Sequence, residues 1–280
     1  MFASRKEHTL KGEWLWFKDG VVPKAGLDYF GAALLGEDNL EGLEGEKLLF
    51  GGHPHGIYPS AFIALYAGAG PLRMRFPWLR VHPCAASVLF KVPLIREYLL
   101  WTGHVDAGRA TVDKLMRRGN ESLCIVVGGE QEALETRNGK ELAVVHGRTG
   151  FVKLAIQHGY HLVPTYAFGQ NESFTVDVSL FASFRKALQR KFKVSIPVFW
   201  GRGGGPMPHK KQITLAIGKP VRVPATTGLE PNAKLVDEIH ALYVAELQAT
   251  FERHKVAAGY GDRVLELGEA WSSAKKVKGQ

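Results

Sequence analysis

Apolar residues along the chain fall into two kinds of run. Short, mostly apolar blocks at 48–50, 123–127, 162–168, 194–200 and 213–217 are bounded by glycine or by polar residues. Blocks of that length suit strands covered on both faces. In longer stretches the apolar residues recur every three or four positions, as an amphipathic helix requires. One such helix is predicted over 106–118, with Ala110, Val112, Leu115 and Met116 on its apolar side. A second covers 148–158, with Phe151, Leu154 and Ala155 inward and Gly159 as its stop. A third covers 232–255, built around Leu235, Ile239, Leu242 and Leu247. Residues 181–193 form a basic amphipathic stretch in which Phe181, Phe184, Leu188 and Phe192 alternate with Arg185, Lys186, Arg190, Lys191 and Lys193. Strand, glycine turn and helix follow one another repeatedly. That order predicts an α/β fold with a central, mostly parallel or mixed sheet flanked by helices.

Other segments are less regular. From Pro54 to Leu72 no side chain carries a fixed charge, yet Pro59, Gly68, Gly70 and Pro71 interrupt the run. Residues 60–67 are expected to form a short helix, either buried in the core or laid shallowly in a membrane. An apolar segment at 85–92 ends in Pro93, and 94–100 carries Arg96 and Glu97 within a further apolar run. The chain divides into an N-terminal segment (1–47), a main domain (48–269) and a polar tail (270–280). The first holds Trp14, Leu15, Trp16 and Phe17 between Lys11 and Lys18, a combination suited to the headgroup level of a bilayer.

Composition narrows the classes. Hydrophobic residues make up 45% and charged residues 22% of the 280 positions, which excludes global disorder. Cys84 and Cys124 do not make a disulfide scaffold. There is no cysteine cluster or HExxH pattern for a metal. The net charge of +9 favours anionic partners: nucleic acid, acidic lipid or a phosphorylated substrate. No zinc finger, basic zipper or RNP-like strand supports the first of these, so a nucleic-acid partner is not expected.

The stretch LLFGGHPHG, 48–56, holds the most chemistry. Histidine titrates near neutrality, so an imidazole at the end of a buried strand can take and return a proton. Pro54 fixes His53 and His55 relative to each other. Ligands of open α/β sheets lie beyond the carboxyl ends of the strands, which predicts a common rim for His53, His55, residues 128–132 and residues 169–172. A serine-hydrolase elbow GxSxG is absent, and neither cysteine has the setting of a nucleophile. The histidine would then activate a substrate hydroxyl directly, for attack on an activated carbonyl. A coenzyme A thioester suits the positive charge. A carboxylate behind the imidazole would fix its tautomer, with Glu97 and Glu132 as the candidates.

Four motifs in one order carry a resemblance: HPHG at 53–56, REYLLWTG at 96–103, VGGEQEALE at 127–135 and RTGFVKLAIQHGYHLVPTYAFGQNE at 148–172. Together they resemble the diacylglycerol acyltransferase 2 family, which includes monoacylglycerol and wax-alcohol acyltransferases. A looser echo runs over 199–255. The resemblance implies a fold similar to the glycerolipid acyltransferases. It also implies acyl-CoA-dependent esterification of a lipid hydroxyl, foremost diacylglycerol to triacylglycerol. Monoacylglycerol, a wax alcohol, phytol, a sterol, or a non-catalytic lipid-binding role are the alternatives.

In this sequence the resemblance makes His55 the general base, His53 its neighbour and Glu97 the supporting carboxylate. Gly128, Gly129 and Glu132 would shape the donor or acceptor site with Arg148 near them; charge, and not the resemblance, suggests that Arg148 and Arg202 meet phosphates. Acyl-CoA would be a substrate, with no permanently bound cofactor or metal. The protein would sit at the cytosolic face of a membrane (endoplasmic reticulum or lipid droplet in a eukaryote), and assembly of several copies is compatible with this. The family's N-terminal membrane hairpin has no counterpart read upstream of His53. Attachment would then be peripheral, through 14–17, 59–72 and the basic helix, or the chain would lack its native start. Gln170 stands where the family has an acid, and Thr149 where it has a basic residue.

Overall fold

A computed structural model of the protein describes residues 6–119, 121–177, 198–224 and 230–271. In chain order its strands are β1 (Ala33–Leu35), β2 (Leu48–His53), β3 (Val81–Ala85), β4 (Val105–Asp106), β5 (Ser122–Val126), β6 (Glu141–His146), β7 (His161–Phe168), β8 (Thr175–Asp177), β9 (Val198–Trp200), β10 (Thr214–Ile217) and β11 (Leu265–Glu269). Its helices are α1 (Leu15–Lys18), α2 (Val21–Phe30), α3 (Ile63–Tyr66), α4 (Pro71–Arg75), α5 (Ile95–Trp101), α6 (Arg109–Arg118), α7 (Gly129–Glu135), α8 (Gly150–His158) and α9 (Ala233–His254). Seven strands form one sheet in the order β1-β10-β7-β2-β5-β3-β4. All neighbours run parallel except β10 and β7. The fold is α/β, with a mixed, mostly parallel sheet between helical layers.

Strand β2 lies mid-sheet, hydrogen-bonded to β5 on one side and β7 on the other, and each of its six residues is buried. Leu49 belongs to the core beneath α6, α8 and α9, and Leu48 and Phe50 to the opposite core built around α2 and α3. The two glycines that follow are dictated by packing. A Cβ on Gly51 would lie 2.1 Å from the Tyr243 hydroxyl of α9, and one on Gly52 would lie 2.6 Å from the Phe62 ring. Only bare backbone lets both layers come this close.

Helix α9 starts at Asn232, whose side chain accepts from the Lys234 N–H, and buries Val236, Ile239, Tyr243, Leu247 and Phe251. That stripe, at steps of three and four, is one residue out of phase with the expected one in its middle. Leu242 is exposed and Tyr243 takes the inward place. Helix α8 turns Phe151, Leu154 and Ala155 inward as expected and ends at Gly159, where φ is +68°. Ala110, expected on the apolar side of α6, is exposed, while Val112, Leu115 and Met116 are buried.

Residues 60–67 settle into the core. Phe62, Ile63, Ala64, Leu65 and Tyr66 are buried with Leu27, Phe30 and Ile217. This removes them as a route of membrane attachment, because a side chain already packed inside the protein has no surface left for lipid. The segment before β2 also enters the sheet, through β1 against β10. Strands β6 and β11, which pair parallel to each other in a separate ribbon, have no counterpart among the predicted elements. The basic stretch 181–193 and most of the polar tail lie outside the described residues, and of 194–200 only β9 is described.

Candidate active site

Strand β2 delivers His53 at its carboxyl end, where a cis bond joins it to Pro54. The chain then turns through His55 and Gly56 into the helical turn at 60–62. Across the rim, β5 ends at Val126 and the chain passes through Gly128 into α7 at Gly129, with Glu132 one turn later. Glu132 bends back over its own helix start: a Cβ on Gly128 would sit 2.0 Å from the Glu132 carboxyl carbon, so position 128 has room only for glycine.

The Glu132 carboxylate is fully buried and accepts three hydrogen bonds. Its Oε1 takes His53 Nδ1 and the Val144 N–H, each at 2.7 Å, and its Oε2 takes the His55 N–H at 2.8 Å. One side chain therefore ties β2, the HPHG turn, α7 and β6 together. A buried carboxylate needs such partners, since an ion taken out of water without them costs on the order of several kcal/mol. With Nδ1 of His53 held as the donor, its Nε2 carries the lone pair. That atom is buried and meets no hydrogen-bond partner among the described residues. His55 is half-buried, and its Nδ1 lies 2.8 Å from the Gly56 carbonyl, which a protonated Nδ1 satisfies. Its Nε2 is then the accepting atom as well.

Around this turn two further groups set the backbone. Gln170, buried at the end of β7, donates from Nε2 to the Tyr58 carbonyl at 2.6 Å and accepts at Oε1 from the Ala61 N–H at 2.9 Å. Tyr243 donates its hydroxyl to the Gly51 carbonyl at 3.0 Å, and its ring lies 6.3 Å from that of His53. Burial, and then the nearness of Glu132, push the Tyr243 phenol well above its usual range, so it stays a neutral donor. Gln170 falls on the rim expected from the sequence. Tyr243 did not stand out there, although the three-and-four spacing of Val236, Ile239, Tyr243 and Leu247 made it accessible.

The structure brings together His53, His55, Gly128, Gly129 and Glu132. Arg148 joins them from the side, with Nη2 at 3.3 Å from both the Gly128 carbonyl and Gln131 Oε1. It lines a cleft of about 370 Å³ with Arg109, Ile125, Val127, Thr149, Gly150 and Phe151. The Phe151 ring contacts that of Tyr243 at 4.9 Å, so this cleft is one aromatic layer from His53. Two expected members lie elsewhere. Glu97 sits on α5, half exposed and paired with its neighbour Arg96 at 2.6 Å. The carboxylate on the histidine pair is that of Glu132, because the α7 turn and not α5 meets the end of β2. Arg202 lies exposed on the turn after β9, its backbone N–H bonded to the Met207 carbonyl.

Both thiols are poor nucleophiles here, since burial pushes them up, Cys84 to about 12. Among the described residues no group of three His, Cys, Asp or Glu side chains is placed to hold a metal ion. Also among them, no helix is long and apolar enough to cross a membrane.

The family model described as diacylglycerol acyltransferase matches residues 1–267. The chain belongs to the diacylglycerol acyltransferase family. It is thus an acyltransferase of the class that moves acyl groups other than aminoacyl, within a family that uses acyl-CoA. Diacylglycerol O-acyltransferase 2 of Bos taurus is 34% identical over 266 residues, spanning 90% of this chain and 73% of that protein. Acyl-CoA wax alcohol acyltransferase 1 of Mus musculus is 34% identical, over 87% of this chain and 76% of that protein. The 2-acylglycerol O-acyltransferase 1 of the same organism is 32% identical, over 86% and 75%. No solved structure matches the chain.

Proposed function

We propose that the protein transfers a fatty acyl group from acyl-CoA to the free hydroxyl of diacylglycerol, giving triacylglycerol, at the cytosolic face of a membrane (endoplasmic reticulum or lipid droplet in a eukaryotic cell). The observation that carries this reading is the single buried carboxylate of Glu132, which grips the His53 ring and the His55 backbone together. That grip fixes the backbone that carries the half-buried His55 ring, whose Nε2 can accept a proton while Nδ1 donates to the Gly56 carbonyl. In the reaction the acceptor hydroxyl gives its proton to His55 Nε2 as its oxygen attacks the thioester carbonyl. The tetrahedral intermediate collapses with cleavage of the C–S bond, and the proton passes to the departing coenzyme A sulfur. No acyl-enzyme is needed. The relatives' names include diacylglycerol, 2-acylglycerol and wax-alcohol acyltransferases, so the acceptor is the finer part of the proposal.

The donor is assigned to the cleft beside Arg148. Arg109 and Arg148 offer positive charge to the coenzyme's phosphates, and Ile125, Val127 and Phe151 give an apolar wall toward the histidines. A second reading makes His53 the base, favoured by its Glu132 partner and its unpartnered Nε2. Purified protein given labelled acyl-CoA and a panel of acceptor alcohols tests both. His55→Ala is expected to lose turnover by about 10²–10⁴-fold, the usual contribution of a general base, with the fold intact. An unchanged His55→Ala enzyme together with a dead, folded His53→Ala enzyme would hand the role to His53. Equal turnover of every acceptor would overturn the diacylglycerol assignment.

A further inference from the structure

Residues 86–95 connect β3 to α5 and are exposed apart from Phe90. They are also apolar: Val88, Leu89, Val92, Leu94 and Ile95 all face solvent. Leu94 is the extreme case, 83% exposed. It is also the one non-glycine among the described residues with a positive φ, at φ 67° and ψ −47°. The Ile95 N–H meets the Pro93 carbonyl at 2.9 Å, so Leu94 is the middle residue of a γ-turn of the rare, strained hand. The fold thus places a leucine where glycine would fit better, and points it outward. Such a combination of strain and apolar exposure is expected at a functional contact.

A second apolar segment adjoins it. On α1 and just before it, Trp14, Leu15 and Trp16 are exposed, Trp16 at 73%. Beneath them Phe17 packs edge-on against Tyr98 and Trp101 of α5, at 6.1 and 5.1 Å. Tyr98 is one turn from Leu94, to whose carbonyl it donates its backbone N–H. The charges left exposed in 9–17 and 86–95 are Lys11 and Lys91; the Glu13 carboxylate is covered and paired with the buried Lys18 and the half-exposed Arg80. Aromatic and aliphatic tips with only cations among them complement an anionic phospholipid surface. The surface also adjoins the site: the Tyr58 phenol, three residues beyond His55, is held above its usual range by burial first and then by the nearby Tyr98 phenol.

We propose that Trp14–Trp16 and Val88–Ile95 form one membrane-docking face, with Leu94 as its inserted tip, that delivers a lipid acceptor past Tyr58 to the HPHG turn. Its delivery role rests on the acyl-transfer reading; its binding role is tested without turnover. The probe is flotation of the full chain with vesicles of phosphatidylcholine mixed with phosphatidylglycerol, and with phosphatidylcholine alone. Leu94→Gly is expected to weaken binding about tenfold, the equivalent of one leucine side chain kept out of an apolar phase. The same change is expected to raise the melting temperature, because glycine relieves the positive φ. Trp16→Ala should weaken binding by at least as much, and Lys11→Glu with Lys91→Glu should act on the anionic vesicles only. Val256→Asp, equally exposed just beyond α9, should bind as the parent does. Full vesicle binding by a folded Leu94→Asp, Trp16→Ala protein would overturn the proposal. So would a Val256→Asp loss as large as that of Leu94→Gly, or a lipid-free dimer that Leu94→Asp dissolves, which would make the face a contact between copies.

Discussion

His53 Nδ1 and Glu132 Oε1 lie 2.7 Å apart, both fully buried, on residues 79 positions apart in the chain. Their contact is held from three sides, since the same carboxylate also takes the backbone N–H of His55 and of Val144. The site is therefore as rigid as the sheet it hangs from.

Glu132→Gln tests that arrangement. An amide can offer only one accepting oxygen where three donors converge, so one donor must face an NH₂ group. Removing one partner of a buried pair of this kind costs about 3–5 kcal/mol, and the isosteric amide is expected to keep part of it, leaving a loss of about 2 kcal/mol or more. Denaturant unfolding measures the stability, and turnover should fall further than stability explains. A Glu132→Gln variant as stable and as active as the parent would show that the carboxylate plays neither part.

Gln170→Glu separates a clamp from a charge. The buried amide both donates to the Tyr58 carbonyl and accepts from the Ala61 N–H. A carboxyl group can do the same only while protonated. The unfolded chain would release that proton near an ordinary glutamate pKa, whereas the folded site holds it, so the folded pKa is raised. Stability is then fully present below about pH 4 and is lost as pH rises toward the folded value. Activity of Gln170→Glu should decline along the same limb, and the parent should show no such decline. A flat, parent-like profile would mean that position 170 tolerates charge.

Much of this was legible in the sequence. The buried blocks of β2, β5, β7 and β10 announced themselves by composition, and α8 by its spacing and its terminal glycine. Neither partner choice nor burial of the neutral segment could be read the same way. Glu97 and Glu132 are both acids near apolar runs, and only the crossing of α7 over the end of β2 decides between them. Residues 60–67 look alike whether lipid or protein covers them, because both are apolar; the answer lies in α2 and β10, far off in the chain. Leu94 is hidden for the opposite reason: its γ-turn is imposed by the fold, and nothing in the tripeptide Pro93-Leu94-Ile95 announces a positive φ.

His104 predicts the acid limb of stability. Burial first, then the charges of Lys18 and His82, lower its pKa from 6.5 to about 3. The unfolded chain takes up the proton near 6.5 and the folded protein does not. Stability is therefore unaffected above that pH and falls as pH drops from 6.5 toward 3. His104→Gln, which keeps a polar group beside the Thr102 hydroxyl at 2.9 Å, should flatten the curve in that window. Urea titrations across pH measure it, and an unaltered slope would assign the acid limb to other groups.

The glycines of β2 offer the sharpest test of the packing that places the histidines. Gly51→Ala drives a methyl group to 2.1 Å from the Tyr243 hydroxyl, where overpacking typically costs about 1–3 kcal/mol. Tyr243→Phe removes the obstructing oxygen, and with it the hydrogen bond to the Gly51 carbonyl, worth about 1 kcal/mol net. Because both changes act on one contact, their effects should not add: the double variant is expected to be more stable than the sum of the single losses. Gly52→Ala meets the Phe62 ring on the other face, so Tyr243→Phe should leave its cost untouched. Should Gly51→Ala fold without loss, β2 can shift away from α9. His53 would then owe its position to Glu132 alone and not to the close approach of the helix.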